Sequence, residues 1–304
     1  MTINEIYEKL KEKIQIEHIR KNEMMKEHTS FKIGGPADIM ILASTVEEIQ
    51  HGLRVCKENN IPYYVIGNGS NLLVRDKGIR GVVIKIAENF SEVTISENHI
   101  KAQAGILLSV LAKKIMRESL EGFEFASGIP GTLGGAAAMN AGAYGGEMKD
   151  VVTGALVLDH CCNVIYLDRE QLEFEYRNSV IQREGYVVLE TDIALQKGDY
   201  ERIKEITAEL TVKRTTKQPL HLPSAGSTFK RPPGYFAGKL IEDAGLKGVR
   251  VGDAQVSELH SGFVVNVGNA TAEDVIHLIK LIQKVVRDQF GVELHPEVRI
   301  VGEE

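Results

Sequence analysis

Ser227 lies in LPSAGSTFKRPPG, residues 222–234, with glycine and small residues around it and two cations, Lys230 and Arg231, close behind. A serine in such a setting can serve as a nucleophile, a phosphate ligand or an acid. It can equally be part of a turn, since clusters of Ser, Gly and Pro also build ordinary loops. A hydrolase nucleophile on a strand-to-helix elbow calls for GxSxG, and here Ala225 and Phe229 stand at the glycine positions. His221 is the nearest histidine that might act as a base, but the intervening residues, one of them proline, give no reason to expect contact.

Two glycine-rich segments form the other candidate chemistry. GNGSNLLVRDKG, residues 67–78, begins with Gly67 and Gly69 in the manner of GxGxxG, yet Leu72 occupies the third glycine position and the chain breaks at Asp76 and Gly78 instead of continuing as a helix. The Rossmann fingerprint therefore fails. Closely spaced glycines and small polar residues still let backbone N–H groups converge on one concavity suited to a pyrophosphate, the alternative being a plain turn. SGIPGTLGGAAAMNAGAYGGE, residues 127–147, runs through small residues from Gly134 to Ala138 and on to Asn140. It permits a flat ligand to approach the backbone along an extended path, or else it is a glycine corner between strands. Two such segments in one chain fit a long dinucleotide better than two unrelated corners.

The surrounding elements read as α+β. Ile3, Ile6, Leu10 and Ile14 repeat at helical spacing, which predicts a short N-terminal helix. DIMILA from Asp38 is a strand, and Thr45 with Glu48 predicts a capping box opening a helix whose inward face carries Val46, Ile49, Leu53 and Cys56. IPYYVIG closes this β, α, β unit at the first glycine segment. Short β-rich runs follow, VVIKI, EVTI and HIKAQA, then a helix from Ile106 to about Glu118 and strands VTGALVLD, VIYL and YVVLETDIAL. A helix over Tyr200 to Lys213, with Ile203, Ile206 and Leu210 in phase, leads into a last block. That block holds the Ser227 loop, a helix near Phe236 to Ala244, the strand GFVVNVG and a long helix opened by Thr271 and Asp274. Val275, Leu278, Ile279, Ile282 and Val286 face inward on it.

With 304 residues, 43% hydrophobic and 26% charged, the chain has globular composition and room for two or three domains. A net charge of −6 argues against nonspecific attraction to nucleic acid. Three cysteines fit a reducing compartment, and nine scattered histidines show no zinc-binding spacing, so no metal is expected. No apolar run is long enough to span a membrane, and MTINEIYEKLKEK has no signal-peptide core. The expectation is a cytoplasmic protein.

HTSFKIGGPAD at 28–38, IGNGSNLLVRDKG at 66–78 and GIPGTLGGAAAMNAGAYGGE at 128–147 resemble the UDP-N-acetylenolpyruvoylglucosamine reductase family of peptidoglycan precursor synthesis. The resemblance continues in order through FEYRNS at 174–179, RTTK at 214–217, SAGSTFKRP at 224–232 and HPEVRIVG at 295–302, covering nearly everything after residue 28. It implies the FAD-binding fold of the vanillyl-alcohol-oxidase type, with two α+β subdomains at 1–78 and 79–198. A C-terminal α+β substrate-binding domain would follow at 199–304, its last strand returning to the FAD domain.

The resemblance assigns FAD contacts to Gly67, Asn68, Gly69, Ser70, Asn71 and Leu72 in the first segment. In the second it assigns Gly128, Pro130, Gly131, Thr132, Gly134 and Gly135, followed by Asn140, Ala141, Gly142 and Ala143. Neither segment holds the His or Cys through which some relatives attach flavin, so noncovalent FAD is expected. NADPH is the implied electron donor.

By resemblance Arg177 is the catalytic arginine, suited to the carboxylate of an enolpyruvyl group through a two-bond guanidinium fork. By residue type alone it is a surface arginine paired with Glu173 or Glu175. Glu297, otherwise a solvated acid at a strand end, is placed by the family opposite that arginine. Ser227 becomes a proton donor: hydride from reduced flavin N5 adds to C3 of the substrate, and the serine protonates C2. Tyr176, Lys217, Gly226, Lys230 and Arg231 fall on the substrate side. Arg231 stands where the longer branch carries asparagine, and the segment after Arg177 lacks that branch's tyrosine-bearing insertion, so the chain resembles the shorter, second type.

The implied reaction is reduction of UDP-N-acetylglucosamine enolpyruvate to UDP-N-acetylmuramate by a monomer with only small-molecule partners. Two rivals remain at this point: another FAD oxidoreductase of the same fold acting on a hydroxy acid or sugar, and a nucleotide-sugar- or flavin-binding protein without turnover.

Overall fold

The computed structural model describes residues 1–304. Helix α1 (Ile3–Leu10) opens with a reciprocal cap: Thr2 Oγ1 accepts the Glu5 N–H, and the Glu5 carboxylate accepts the Thr2 N–H. Ile6, Leu10 and Ile14 face the core, while Ile3 points to solvent. Helix α2 (Val46–Glu58) departs from the expected capping box. Thr45 does accept the Glu48 N–H at 3.2 Å, but the Glu48 carboxylate reaches past the cap to the N–H and hydroxyl of Ser44, at 2.8 and 2.9 Å. The extra donors decide the difference, because Ser44 offers two where the Thr45 backbone offers one.

The chain divides into two units, one formed by 1–20, 39–68 and 82–214, the other by 21–38, 69–81 and 215–304. This differs from three consecutive blocks at 1–78, 79–198 and 199–304. The reason is apolar: Phe31, Ile33 and Leu73 share a core with Leu240, Val264, Leu278 and Ile282 of the C-terminal part. Short segments of unremarkable hydropathy thereby join a core assembled mostly from distant residues.

In the first unit, strand Tyr63–Ile66 runs parallel to the chain from Val82, with Tyr63 opposite Val82 and Ile66 opposite Lys85. A five-stranded antiparallel sheet follows, in the order Val164–Asp168, Val152–Leu158, Val187–Ala194, His99–Gln103, Val93–Ser96. Helix α3 (Leu108–Arg117) buries Leu108, Leu111, Ala112 and Ile115. Helix α4 (Leu133–Ala138) is made of LGGAAA inside the second glycine segment, and α5 (Met148–Val151) and α6 (Val180–Glu184) are single short turns. Gly and Ala carry no apolar periodicity, which is why α4 leaves no signal in the sequence. Helix α7 (Tyr200–Lys217) runs four residues beyond the expected end and buries only Ile203; Ile206 is 37% exposed.

The second unit carries an antiparallel sheet in the order Ser224–Ser227, Phe263–Asn266, Ala254–Val256, Arg250–Val251. Helix α8 (Ala237–Asp243) and helix α9 (Ala272–Phe290) pack within its core, and α9 buries all five expected inward residues behind a Thr271–Asp274 capping box. The last strand, Arg299–Val301, pairs in parallel with Leu72–Val74, within the first glycine segment. Asp76, four residues past Leu72, accepts the first N–H groups of α9, from Ala272 at 2.9 Å and Glu273 at 3.1 Å. No helix is long and apolar enough to cross a membrane.

Candidate active site

Ser227 ends the strand Ser224–Ser227, whose pairing with Phe263–Asn266 slips between Ser224 and Ser227. Gly226 causes the slip with a φ of 75°, and nothing lies within 4 Å of where a Cβ would stand. The requirement for glycine is therefore conformational. A bulge of this kind re-aims the next side chain, and Ser227 comes out exposed. Behind it Thr228 is buried: its N–H donates to Gly262 O and its Oγ1 accepts the Val264 N–H.

The segment carrying Glu297 is fastened directly to this strand. Its N–H donates to Thr228 O at 2.8 Å, and the Lys230 N–H donates to His295 O at 2.8 Å. Asn71 holds the same backbone from the other side, giving its side-chain N–H to Glu297 O at 3.2 Å and accepting the Arg299 N–H at 3.0 Å. Ser30 completes the join, with its N–H on Gly69 O and its hydroxyl on Ser224 O. Ser227, Glu297 and the first glycine segment thus form one backbone-linked cluster in the second unit.

Arg177 lies in the first unit. Glu175 and Asn178 exchange backbone hydrogen bonds around a two-residue turn, Tyr176–Arg177, and Arg177 takes a φ of 55°. That left-handed position favours Gly or Asn, so an arginine there marks strain held in place by its surroundings. Asn140 supplies the hold. It is fully buried with a φ of 44°; its amide donates to Glu147 Oε2 at 2.6 Å and to Glu175 O at 3.0 Å, and its oxygen accepts the Lys149 N–H at 2.9 Å. The Asn140 side chain thereby tethers the arginine turn. The guanidinium lies 5.1 Å from the Tyr176 ring centroid and 3.4 Å from Gly142 O. Glu173 and Glu175, its expected surface partners, both pair with Arg183.

Gly67 packs against the second glycine segment. A Cβ on Gly67 would stand 2.2 Å from Thr132 Oγ1, and Thr132 is only 3% exposed. At Gly69, with a φ of 61°, a Cβ would stand 2.2 Å from His28 O. Protein packing by itself requires glycine at both positions. Gly135 is different: it is exposed, and its nearest neighbour, Thr132 Oγ1, would be 3.7 Å from a Cβ. The bare backbone there, together with the absence of any Asp or Glu across 66–75 and 127–146, fits a flat, polyanionic dinucleotide.

Lys217 ends α7 and is exposed, as are Lys230 and Arg231. Arg231 stacks on Phe236 at 4.0 Å and donates from Nε to Tyr235 O, which gives it an orientation a bare cation would lack. Arg214, three residues before Lys217 and the first residue of RTTK, carries no signal of its own in the sequence; its side chain lies over Gly128. No group of metal-ligating side chains occurs.

Residues 37–165 match a family described as an FAD binding domain, and residues 218–301 match the C-terminal domain of UDP-N-acetylenolpyruvoylglucosamine reductase. The chain is 66% identical over 283 residues to the UDP-N-acetylenolpyruvoylglucosamine reductase of Alkaliphilus oremlandii, covering 93% of each. It is 53% identical over 304 residues to that of Clostridioides difficile, covering 100% of each. Among solved structures it superposes on the reductase from Thermus caldophilus with a TM-score of 0.79 at 36% identity, covering 91% of this chain and 97% of that one. An alkyldihydroxyacetonephosphate synthase, at TM-score 0.50 and 16% identity over 65% of this chain and 41% of that one, shares the fold alone. The expected α+β architecture, an FAD-binding fold followed by a distinct C-terminal domain, is the one present.

Proposed function

The chain belongs to the UDP-N-acetylenolpyruvoylglucosamine reductase family of FAD-binding oxidoreductases, and from that premise we propose that Arg177, Ser227 and Glu297 carry the reduction of UDP-N-acetylglucosamine enolpyruvate to UDP-N-acetylmuramate. FAD, when bound, would supply the hydride chemistry that links NADPH to C3 of the enolpyruvyl group. The segments 67–72 and 128–143 hold it without a covalent bond, since neither contains His or Cys. The reaction is a cytoplasmic step.

Hydride addition leaves negative charge on C2 and the attached carboxylate. Arg177 binds that carboxylate, where the charge grows, with a fork already oriented by its strained turn. Ser227 supplies the proton that C2 must gain. A hydroxyl is a weak acid, but a carbon so basic accepts from it when the two are held within about 3 to 3.5 Å. A hydrogen bond from the Glu297 carboxyl group, held beside the Ser227 strand, adds to the stabilisation of the enolate. Lys217, Lys230 and Arg231 serve the UDP end, where Arg231 already lies flat on Phe236.

The observation that carries this reading is the Gly226 bulge, which turns Ser227 outward beside the backbone of Glu297. Anaerobic stopped-flow absorbance separates the two half-reactions. Ser227→Ala should be reduced by NADPH at nearly the native rate, whereas reoxidation by the enolpyruvyl substrate should slow by roughly 10² to 10⁴. Ser227→Cys should retain more activity than alanine. A fast second half-reaction in the alanine variant would show that the proton comes from elsewhere.

A further inference from the structure

Arg214 stands in the last turn of α7, and its side chain lies along the second glycine segment. A Cβ at Gly128 would be 2.9 Å from Arg214 Cδ and 3.2 Å from Nη1. Glycine at 128 is what allows the arginine stem to rest there. The guanidinium is half-buried, yet no hydrogen bond or ion pair holds it. Burial lowers its pKa, and the Tyr144 phenol is the one titratable group acting in the opposite direction, so no carboxylate balances the charge. Five N–H donors and a permanent charge, partly removed from water and left without an acceptor, are costly to a fold.

We infer that Arg214 is a binding residue for the FAD diphosphate, its fork meeting two phosphate oxygens beside the Gly128 backbone. The inference rests on the reading that FAD lies along residues 128–143, and it adds the fixed positive charge that those small residues lack. The enolpyruvyl carboxylate already has Arg177, in a turn built to present it. Arg214 instead leans on the segment whose bare backbone suits a dinucleotide. A planar fork on a phosphate is both stronger and more directional than a point charge.

Three holoenzymes test this: wild type, Arg214→Met, which keeps an unbranched stem over Gly128 without the charge, and Arg214→Lys, which keeps the charge without the fork. The FAD dissociation constant is measured by ultrafiltration of released flavin, at low salt and at about 0.5 M salt, where exposed charges are screened within a few ångströms. Methionine should weaken FAD binding roughly 10- to 100-fold at low salt, with lysine in between. The gap between methionine and wild type should narrow at high salt. Unchanged FAD affinity in the methionine variant overturns the inference. An equal loss at both salts also overturns it, because the stem's packing on Gly128 would then be the cause. A raised KM for the UDP substrate with FAD affinity intact would assign the anion to the substrate and overturn it as well. If Arg214→Met fails to fold, judged by circular dichroism, the lysine variant and its salt dependence decide. Wild-type protein that retains no flavin would sink the FAD reading of these segments itself.

Discussion

Arg177 and Gly226 are the two residues where backbone geometry and chemistry bear on each other. Arg177 sits at φ 55°, a conformation that costs a side-chain-bearing residue about 1 kcal/mol relative to glycine. Arg177→Gly relieves that strain but loses the guanidinium's contacts with the Tyr176 ring and Gly142 O, so its urea midpoint should stay within the equivalent of roughly 1 kcal/mol of wild type while substrate reduction is nearly abolished. A variant inactive and destabilised by more than that would show that the guanidinium, and not only the turn, holds the fold together. Gly226→Ala is the converse. With no neighbour to strike, the added methyl acts only through φ, costing about 1 to 2 kcal/mol, and by shifting the bulge it should slow substrate reduction more than reduction by NADPH. Glu297 gives a further comparison: Glu297→Gln keeps a donor and should retain more turnover than Glu297→Ala. Of these residues the sequence shows the types and, through resemblance, the roles. It cannot show that Asn140 is spent on holding Glu175, or that Gly67 is small because of Thr132, since both depend on pairings between segments far apart in the chain.

Helices were legible where apolar periodicity and a cap coincide, as in α9, whose five inward residues follow from spacing alone. They were illegible where one signal was missing. Helix α4 has no periodicity to find, and α7 has an apolar phase that its surroundings do not use beyond Ile203. Helix α2 shows a cap correctly sited and wrongly wired, with a consequence in pH. Glu48 is 3% exposed, and burial alone would raise its pKa; hydrogen bonds from Ser44, His18 and Gln15 overcome this and leave the carboxyl lowered. A lowered carboxyl contributes stability that is fully present above the unfolded value, about 4.3, and is lost as pH falls through the lower folded value. Glu48→Gln should be destabilised by about 1 to 3 kcal/mol at neutral pH, since buried donors lose a charged acceptor. The difference from wild type should shrink below about pH 4. Urea unfolding at both pH values checks this, and a difference independent of pH would mean that shape, not charge, is what Glu48 contributes.

At the scale of the molecule, the chain's order in sequence is not its order in space. Residues 21–38 and 69–81 belong with the C-terminal unit, and the first glycine segment leaves through Leu72–Val74, a strand paired only with the last strand of the chain. No composition shift or linker announces this, because the joining groups are backbone amides and carbonyls that every sequence possesses. The cofactor segment and the Glu297 segment are consequently one structure: Arg299 N–H donates to Asn71 O, and Asn71 in turn holds Glu297 O. Arg299→Pro removes that donor, whereas Arg299→Ala removes an exposed side chain and leaves the donor in place. If the parallel pairing holds the first glycine segment in shape, the proline variant should lose about 1 to 3 kcal/mol in urea unfolding and bind less flavin per chain, with alanine close to wild type. Equal losses in both variants would move the effect to the side chain. A proline variant with native stability and full flavin content would show that the segment keeps its shape without the hydrogen bond from Arg299.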